Sequence, residues 1–148
     1  METIQRILQD KINDRIAPGK AVLIFGARRV GKTVMMRKIV DSYPGRTMML
    51  NGEDYDTLAL LENRTVANYR HLLEGIDLLA IDEAQNIPQI GNILKLIVDE
   101  IPGVSVLASG SSSFDLLNKT GEPLVGRGTQ IFAYPFFAEG DSPDGNSS

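Results

Sequence analysis

Residues Gly26 to Thr33 read GARRVGKT and match the pattern G-x-x-x-x-G-K-[ST] at every fixed position. Glycines let such a loop wrap with its backbone N–H groups pointing inward, and the N-terminus of a following helix attracts anionic oxygens. The ammonium of Lys32 is expected to reach β- and γ-phosphates, and the hydroxyl of Thr33 to bind Mg²⁺. The stretch therefore predicts a nucleotide-phosphate cradle. The alternative is a glycine-rich turn between a strand and a helix.

The predicted cradle extends from the first glycine into the first turn of the next helix. Arg28 and Arg29 lie in its variable part, where such side chains usually point to solvent although they raise the local positive potential. The predicted nucleotide-binding residues are Gly26, Ala27, Arg28, Arg29, Val30, Gly31, Lys32, Thr33 and Val34.

A second candidate element is LLAIDEAQ, residues 78–85, an apolar run that ends in two carboxylates. In open α/β sheets, ligands bind at the carboxyl ends of the strands. Asp82 is expected to hold Mg²⁺, as a Walker B aspartate does, and Glu83 to polarise a water for attack on the γ-phosphate. The alternative for both residues is a helix cap. The cradle and the acidic pair together predict a catalytic site with Lys32 and Glu83.

The class of nucleotide enzyme follows from what accompanies the two motifs. A common GTPase would carry the guanine-reading pattern NKxD, but Asn118-Lys119 is followed by Thr120-Gly121. A small-molecule kinase would need a substrate hydroxyl beside the γ-phosphate and a closing lid. The acidic pair favours an ATP hydrolase with ATP and Mg²⁺ as ligands. A P-loop kinase or a nucleic-acid motor is the remaining rival class.

The composition is that of one ordinary globular domain. The chain has 148 residues, of which 43% are hydrophobic and 23% charged, and its net charge of −4 argues against a nucleic-acid binder driven by bulk charge. A local basic patch stays open, so nucleic acid is not indicated but not excluded. The chain has no cysteine and one histidine, His71, which argues against disulfides and thiolate metal sites. It shows neither a membrane span nor a signal peptide, so we expect a cytoplasmic protein.

Hydrophobic patterning predicts alternating strands and helices. Strands are predicted at 21–25, 47–51, 76–82, 104–110 and 129–134. Helices are predicted at 3–16, 32–42, 56–74 with a break near Asn63, 87–101 and 111–120. This alternation is typical of an α/β fold with a parallel sheet and helices on both faces. Residues 139–148 have a composition typical of a disordered tail.

Four motifs in this order resemble one group of ATPases. They are GARRVGKT, LLAIDEAQNIP, VSVLASGSSSFDLL and LVGRGTQIFAYPFF, and they extend to about Phe137. The sequence resembles the AAA+-type ATPases of archaea and bacteria that join an ATPase domain to an uncharacterised C-terminal domain. The resemblance implies a P-loop NTPase three-layer sandwich with strand order 5-1-4-3-2, and an ATPase core over residues 1–138.

The resemblance also implies two further catalytic residues. Ser109 would take the sensor-1 position beside the Walker B strand, and the alternative is a helix-cap or turn serine. Arg127 would act as an arginine finger through self-association, and the alternative is a surface arginine or an internal salt bridge.

Family members continue past the YPFF segment into a helical lid, so we expect an isolated core with slow hydrolysis. The alternative function is a nucleotide-dependent binding or regulatory module with little turnover.

Overall fold

The computed structural model describes residues 3–26, 29–111 and 130–136. The helices are α1 (Thr3–Arg15), α2 (Arg29–Ser42), α3 (Tyr55–Leu61), α4 (Val66–Leu72) and α5 (Ile90–Glu100), with a short 3₁₀ helix at Ala84–Asn86. The strands are β1 (Ala21–Phe25), β2 (Thr47–Asn51), β3 (Leu78–Asp82), β4 (Ser105–Gly110) and β5 (Ile131–Pro135).

The strands form one parallel sheet in the order β2-β3-β4-β1-β5. This is the predicted order 5-1-4-3-2 read from the other side, so the predicted fold class is confirmed. Strands β2 and β3, and strands β3 and β4, are consecutive in the chain as well as neighbours in the sheet, and each pair is joined by a helical crossover, as parallel pairing requires. Among the described residues, no helix is both long and apolar enough to cross a membrane.

Apolar side chains that alternate along each strand build a core on both faces of the sheet. In β1, Leu23 packs with α3, α4 and α5 on one face, whereas Val22 and Ile24 pack with α1 and α2 on the other. The methionines follow the same alternation, with Met48 against the first cluster and Met49 against the second. Burial of both faces explains why β1 and the first four residues of β3 are continuous apolar runs, and why the centre of β4 is apolar at residues 106–108.

Three of the element boundaries that differ from the sequence prediction have a local reason. Helix α2 begins at Arg29 instead of 32, because the second half of the predicted cradle already has helical backbone. Strand β3 begins at Leu78 instead of 76, because the chain still turns there, with Ile76 N–H donating to the Leu73 carbonyl at 3.0 Å. Helix α5 begins at Ile90 instead of 87, because Gln89 before it is left-handed with φ 61°.

The predicted break near Asn63 separates α3 from α4. Thr65 caps α4 by accepting a hydrogen bond from Asn68 N–H at 3.1 Å, and Asp54 caps α3 in the same way through Asp56 N–H. The buried Tyr69 hydroxyl donates to the Leu61 carbonyl at 2.7 Å and joins the two helices. The predicted helix at 111–120, apart from its first residue, and the predicted tail at 139–148 lie outside the described residues.

Candidate nucleotide-binding site

The carboxyl ends of three neighbouring strands bring the predicted site residues to one edge of the sheet. Phe25 of β1 is in register with Gly110 of β4, and Asn51 of β2 is in register with Asp82 of β3. Gly26 follows β1 directly, and its N–H donates to the Gly110 carbonyl at 3.1 Å. The first N–H groups of α2, which have no acceptor within the helix, therefore begin beside the ends of β3 and β4.

Lys32 is fully buried at this edge, with an exposed fraction of 0%. Its ammonium donates to the Gly110 carbonyl at 2.7 Å and to the Gly26 carbonyl. A buried ammonium is tolerated only when its hydrogen bonds are satisfied. The two carbonyls therefore hold a positive charge at the mouth of the loop, where an anionic ligand could exchange for them.

Thr33 and Asp82 contact each other although they are 49 residues apart. Thr33 Oγ1 donates to Asp82 Oδ2 at 2.7 Å, and Ser109 Oγ donates to Asp82 Oδ1. Asp82 and Ser109 are both buried. The arrangement places a hydroxyl and a carboxylate side by side, which are oxygen donors of the kind that Mg²⁺ prefers.

Glu83 has an unusual backbone for a side-chain-bearing residue, with φ 52° and ψ 46°. Its N–H lies 3.1 Å from both Ser109 Oγ and Asp82 Oδ1, and the residue is only 4% exposed. Its side chain makes no capping hydrogen bond to the 3₁₀ helix that follows. Glu83 therefore occupies the N-cap position of this 3₁₀ helix without a capping side-chain hydrogen bond. A left-handed, buried acidic residue of this kind is typical of functional sites.

Two residues that the sequence patterns did not single out shape the acidic end of β3. Gly52 N–H donates to the Asp82 carbonyl at 2.7 Å, and a Cβ at position 52 would lie 2.2 Å from the Glu83 carbonyl oxygen. Gln85 Nε2 donates to Glu83 Oε1 at 2.8 Å. The only sequence signal for Gln85 was its place in DEAQ, and Gly52 gave none beyond being a glycine after a strand.

Phe136 closes the other side of the loop. It is 5% exposed, and its N–H donates to the Phe25 carbonyl at 2.7 Å. A Cβ at Gly31 would lie 2.6 Å from the Phe136 ring, and a Cβ at Gly26 would lie 3.0 Å from the Phe136 carbonyl oxygen. Both glycines of the motif therefore lie too close to Phe136 for a larger residue to fit without movement.

The structure brings Lys32, Thr33, Asp82, Glu83 and Ser109 together. Val34 is a residue of α2 whose side chain is 49% exposed. Arg29 and Val30 belong to the first turn of α2. The predicted residues Ala27, Arg28 and Arg127 lie outside the described residues.

Comparison with known proteins assigns the chain to a family. Residues 18–139, which include the cradle, Asp82, Glu83 and Ser109, match the AAA domain family. The chain belongs to the AAA domain family. The AAA domain assignment agrees with the resemblance that the four sequence motifs indicated.

Two relatives and one solved structure are also similar to the chain. An uncharacterized protein of Mycobacterium bovis and one of Mycobacterium tuberculosis are each 33% identical to the chain over 108 residues. The match covers 72% of this chain and 23% of each relative. A crystal structure of a DNA replication initiation factor is similar in fold, with a TM-score of 0.51 and 13% identity over 85% of this chain and 43% of that chain.

Proposed function

We propose that this AAA domain binds ATP and ADP and hydrolyses ATP with Mg²⁺. The observation that carries the proposal is the Thr33–Asp82 hydrogen bond of 2.7 Å beside the buried Lys32. It joins the two motifs that phosphoryl-transfer chemistry requires, a phosphate cradle and an acidic strand end. Membership of the AAA domain family supports the nucleotide-binding part.

Lys32 and the N-terminus of α2 would hold the phosphates. The ammonium would exchange its bonds to the Gly26 and Gly110 carbonyls for phosphate oxygens, so its charge would stay compensated throughout. The N–H groups of Gly31 and its neighbours in the first turn of α2 would donate to the same oxygens.

Thr33 and Asp82 would hold Mg²⁺, which would neutralise charge on the phosphate oxygens when bound. Among the described residues there is no cluster of three or more histidine, cysteine or acidic side chains that could form an all-protein metal site. One hydroxyl and one carboxylate suit Mg²⁺ well, because this ion usually keeps waters and takes substrate phosphates as its other ligands.

Glu83 would accept a proton from water as the water oxygen forms a bond to the γ-phosphorus. The bond from that phosphorus to the β,γ-bridging oxygen breaks, and ADP leaves with the bridging oxygen. Ser109 would orient Asp82 and the backbone of Glu83, with which it shares hydrogen bonds. Arg127 would act from a second copy of the chain, and this self-association is part of the proposal.

Phosphate release and nucleotide binding test the proposal with two variants. We expect Lys32→Ala to lose nucleotide binding. We expect Glu83→Gln to bind MgATP but to release phosphate at least about 100-fold more slowly than the unmodified chain. Lys95→Ala is the matched lysine control, because Lys95 is an exposed residue of α5 paired with Asp99. Phosphate release by the unmodified chain no faster than by Glu83→Gln would contradict hydrolysis. Binding of MgATP without release of phosphate would favour the alternative function, a nucleotide-dependent binding module.

Whether this chain acts on nucleic acid is a separate question with its own test. The similar solved structure is named for DNA replication initiation, whereas the net charge of −4 gives this chain no bulk attraction for phosphate backbones. We expect single- and double-stranded DNA to leave the rate of phosphate release unchanged at low salt. Stimulation by either would favour a nucleic-acid motor. The cytoplasmic location stays a prediction.

A further inference from the structure

Gln85 makes two hydrogen bonds that join Glu83 to the end of β4. Its Nε2 donates to Glu83 Oε1 at 2.8 Å, and its Oε1 accepts from Ser111 N–H at 3.1 Å. The side chain is half-buried in the 3₁₀ helix just after β3. Ser111 is the residue that directly follows β4. The amide therefore spans the gap between the ends of two neighbouring strands.

The chemistry of the two partners fixes which way the amide faces. A backbone N–H such as that of Ser111 only donates, so the amide oxygen must face it. The NH₂ group then faces the Glu83 carboxylate, which accepts. Both contacts are satisfied in one orientation and both are lost when the amide is reversed.

Backbone and side chain of Glu83 are held by different groups. Ser109 Oγ accepts from the Glu83 N–H, and Gly52 lies against the Glu83 carbonyl, so the backbone is fixed by β2 and β4. A glutamate side chain still has rotatable bonds beyond Cα. The hydrogen bond from Gln85 restrains that part. The end of β4 thus acts on Glu83 twice, through Ser109 on the backbone and through Ser111 and Gln85 on the carboxylate.

We propose that Gln85 is a positioning residue that orients the Glu83 carboxylate for reaction and ties it to the end of β4. This inference rests on the proposed ATP hydrolysis. Gln85 itself does not touch the reacting atoms. It contributes by keeping the proton acceptor within reach of the attacking water, and small misplacements of such groups slow reactions strongly.

Turnover and binding of Gln85→Met test the positioning role. Methionine has nearly the length of glutamine but offers no N–H to Glu83. We expect kcat to fall about 10- to 100-fold. The KM for ATP and the affinity for a fluorescent ATP analogue should stay unchanged. Gln89→Met is the matched control, because Gln89 is an exposed residue of the same connection whose side chain contacts Asn92. Equal kcat in Gln85→Met and the unmodified chain would overturn the proposal, and so would a parallel loss of affinity.

A charge swap tests the contact without using turnover. Gln85→Glu would place two carboxylates 2.8 Å apart and should lower the melting temperature. Adding Glu83→Gln restores an amide facing a carboxylate and keeps an acceptor for Ser111 N–H, so the melting temperature should return while turnover stays lost. A double variant no more stable than Gln85→Glu would contradict the contact.

The two arms separate failure of this inference from failure of ATP hydrolysis. An unmodified chain that releases no phosphate removes the proposed hydrolysis, and the swap still decides whether Gln85 and Glu83 are coupled. If the unmodified chain is active and Gln85→Met turns over ATP at the same rate, only the positioning role of Gln85 is contradicted.

Discussion

The two edges of the sheet carry polar residues in different ways. At the carboxyl edge, Lys32, Asp82, Glu83 and Ser109 are buried. Ser109 is hydrogen-bonded to Asp82 and to Glu83, and Lys32 donates to the Gly110 carbonyl. At the amino edge, a cleft of about 660 Å³ lies between the C-terminal ends of α4 and α5. Its polar side chains are exposed, and they include Arg70, His71, Glu74 and Asp77.

The two edges therefore differ in how far their polar groups are withdrawn from water. Burying charged groups costs free energy unless they are mutually satisfied, so a buried polar cluster persists only where the surrounding backbone fixes it. The amino-edge side chains are solvated and carry no such cost. Substitution of polar residues should therefore be more costly at the carboxyl edge than at the amino edge. The predictions below test this contrast.

The largest expected effect belongs to Asp82→Asn. The variant keeps the size of the side chain but removes the charge that Thr33 and Ser109 contact. We expect phosphate release to fall about 100-fold or more, because charge stabilisation by a bound metal contributes several kcal/mol. A Mg²⁺ titration of phosphate release measures the loss.

The amino edge supplies the matched control for this change. Asp77→Asn keeps an oxygen that accepts from Arg46 N–H, so its turnover should equal that of the unmodified chain. A similar loss in both variants would break the contrast between the edges.

Gly52→Ala should have the next largest effect. The added Cβ would lie 2.2 Å from the Glu83 carbonyl oxygen, and backbone on both sides must move to accept it. We expect the free energy of unfolding to fall by about 3 kcal/mol, as overpacking of a filled site does. Turnover should fall as well, since Glu83 is displaced. Chemical denaturation measures the first and phosphate release the second.

A glycine at the opposite edge is the control for Gly52→Ala. A Cβ at Gly103 would meet nothing within 4 Å, so Gly103→Ala should leave both stability and turnover nearly unchanged. Equal destabilisation by the two variants would show that the clash at Gly52 is relieved by movement.

Gly31→Ala should destabilise the fold less than Gly52→Ala does. Its Cβ would meet the Phe136 ring at 2.6 Å, and a side-chain ring moves more readily than a backbone. We expect a loss of about 1 to 2 kcal/mol in the free energy of unfolding. The double variant Gly31→Ala with Phe136→Leu should recover part of it. Denaturation of the two single variants and the double variant measures the coupling, and simple additivity would contradict the packing explanation.

The sequence predicts the strands well and singles out the candidate site residues that the fold brings together, because both leave local patterns. Continuous apolar runs mark β1 and β3, which are buried on both faces, and the cradle is a contiguous motif. The strand order came from the family resemblance, since nothing local tells which strands pair.

Contacts between distant segments were not predictable. Gly52 acts through Glu83, 31 positions further along the chain by their residue numbers, and Phe136 packs on Gly31 from beyond β5. Gln85 contacts Ser111, which is 26 residues away. Each contact depends on the order of the strands and on the close fit of the folded chain. A single sequence shows these residues only as an ordinary glycine, glutamine and phenylalanine.

Tyr69→Phe should have the smallest effect and should separate stability from chemistry. The variant removes the hydroxyl that donates to the Leu61 carbonyl at 2.7 Å, away from the carboxyl edge. We expect the free energy of unfolding to fall by about 1 kcal/mol, as loss of one hydrogen bond does, with turnover unchanged.

Burial raises the pKa of Tyr69 in the folded chain, and the charge of Arg64 opposes that rise. The buried neutral phenol therefore stabilises the fold below the unfolded pKa of about 10, and this contribution is lost as the pH rises through the folded pKa. Denaturation from neutral to strongly alkaline pH should show the difference between Tyr69→Phe and the unmodified chain shrinking above about pH 10. A growing difference, or a loss of turnover at neutral pH, would contradict a purely structural role for this buried polar group.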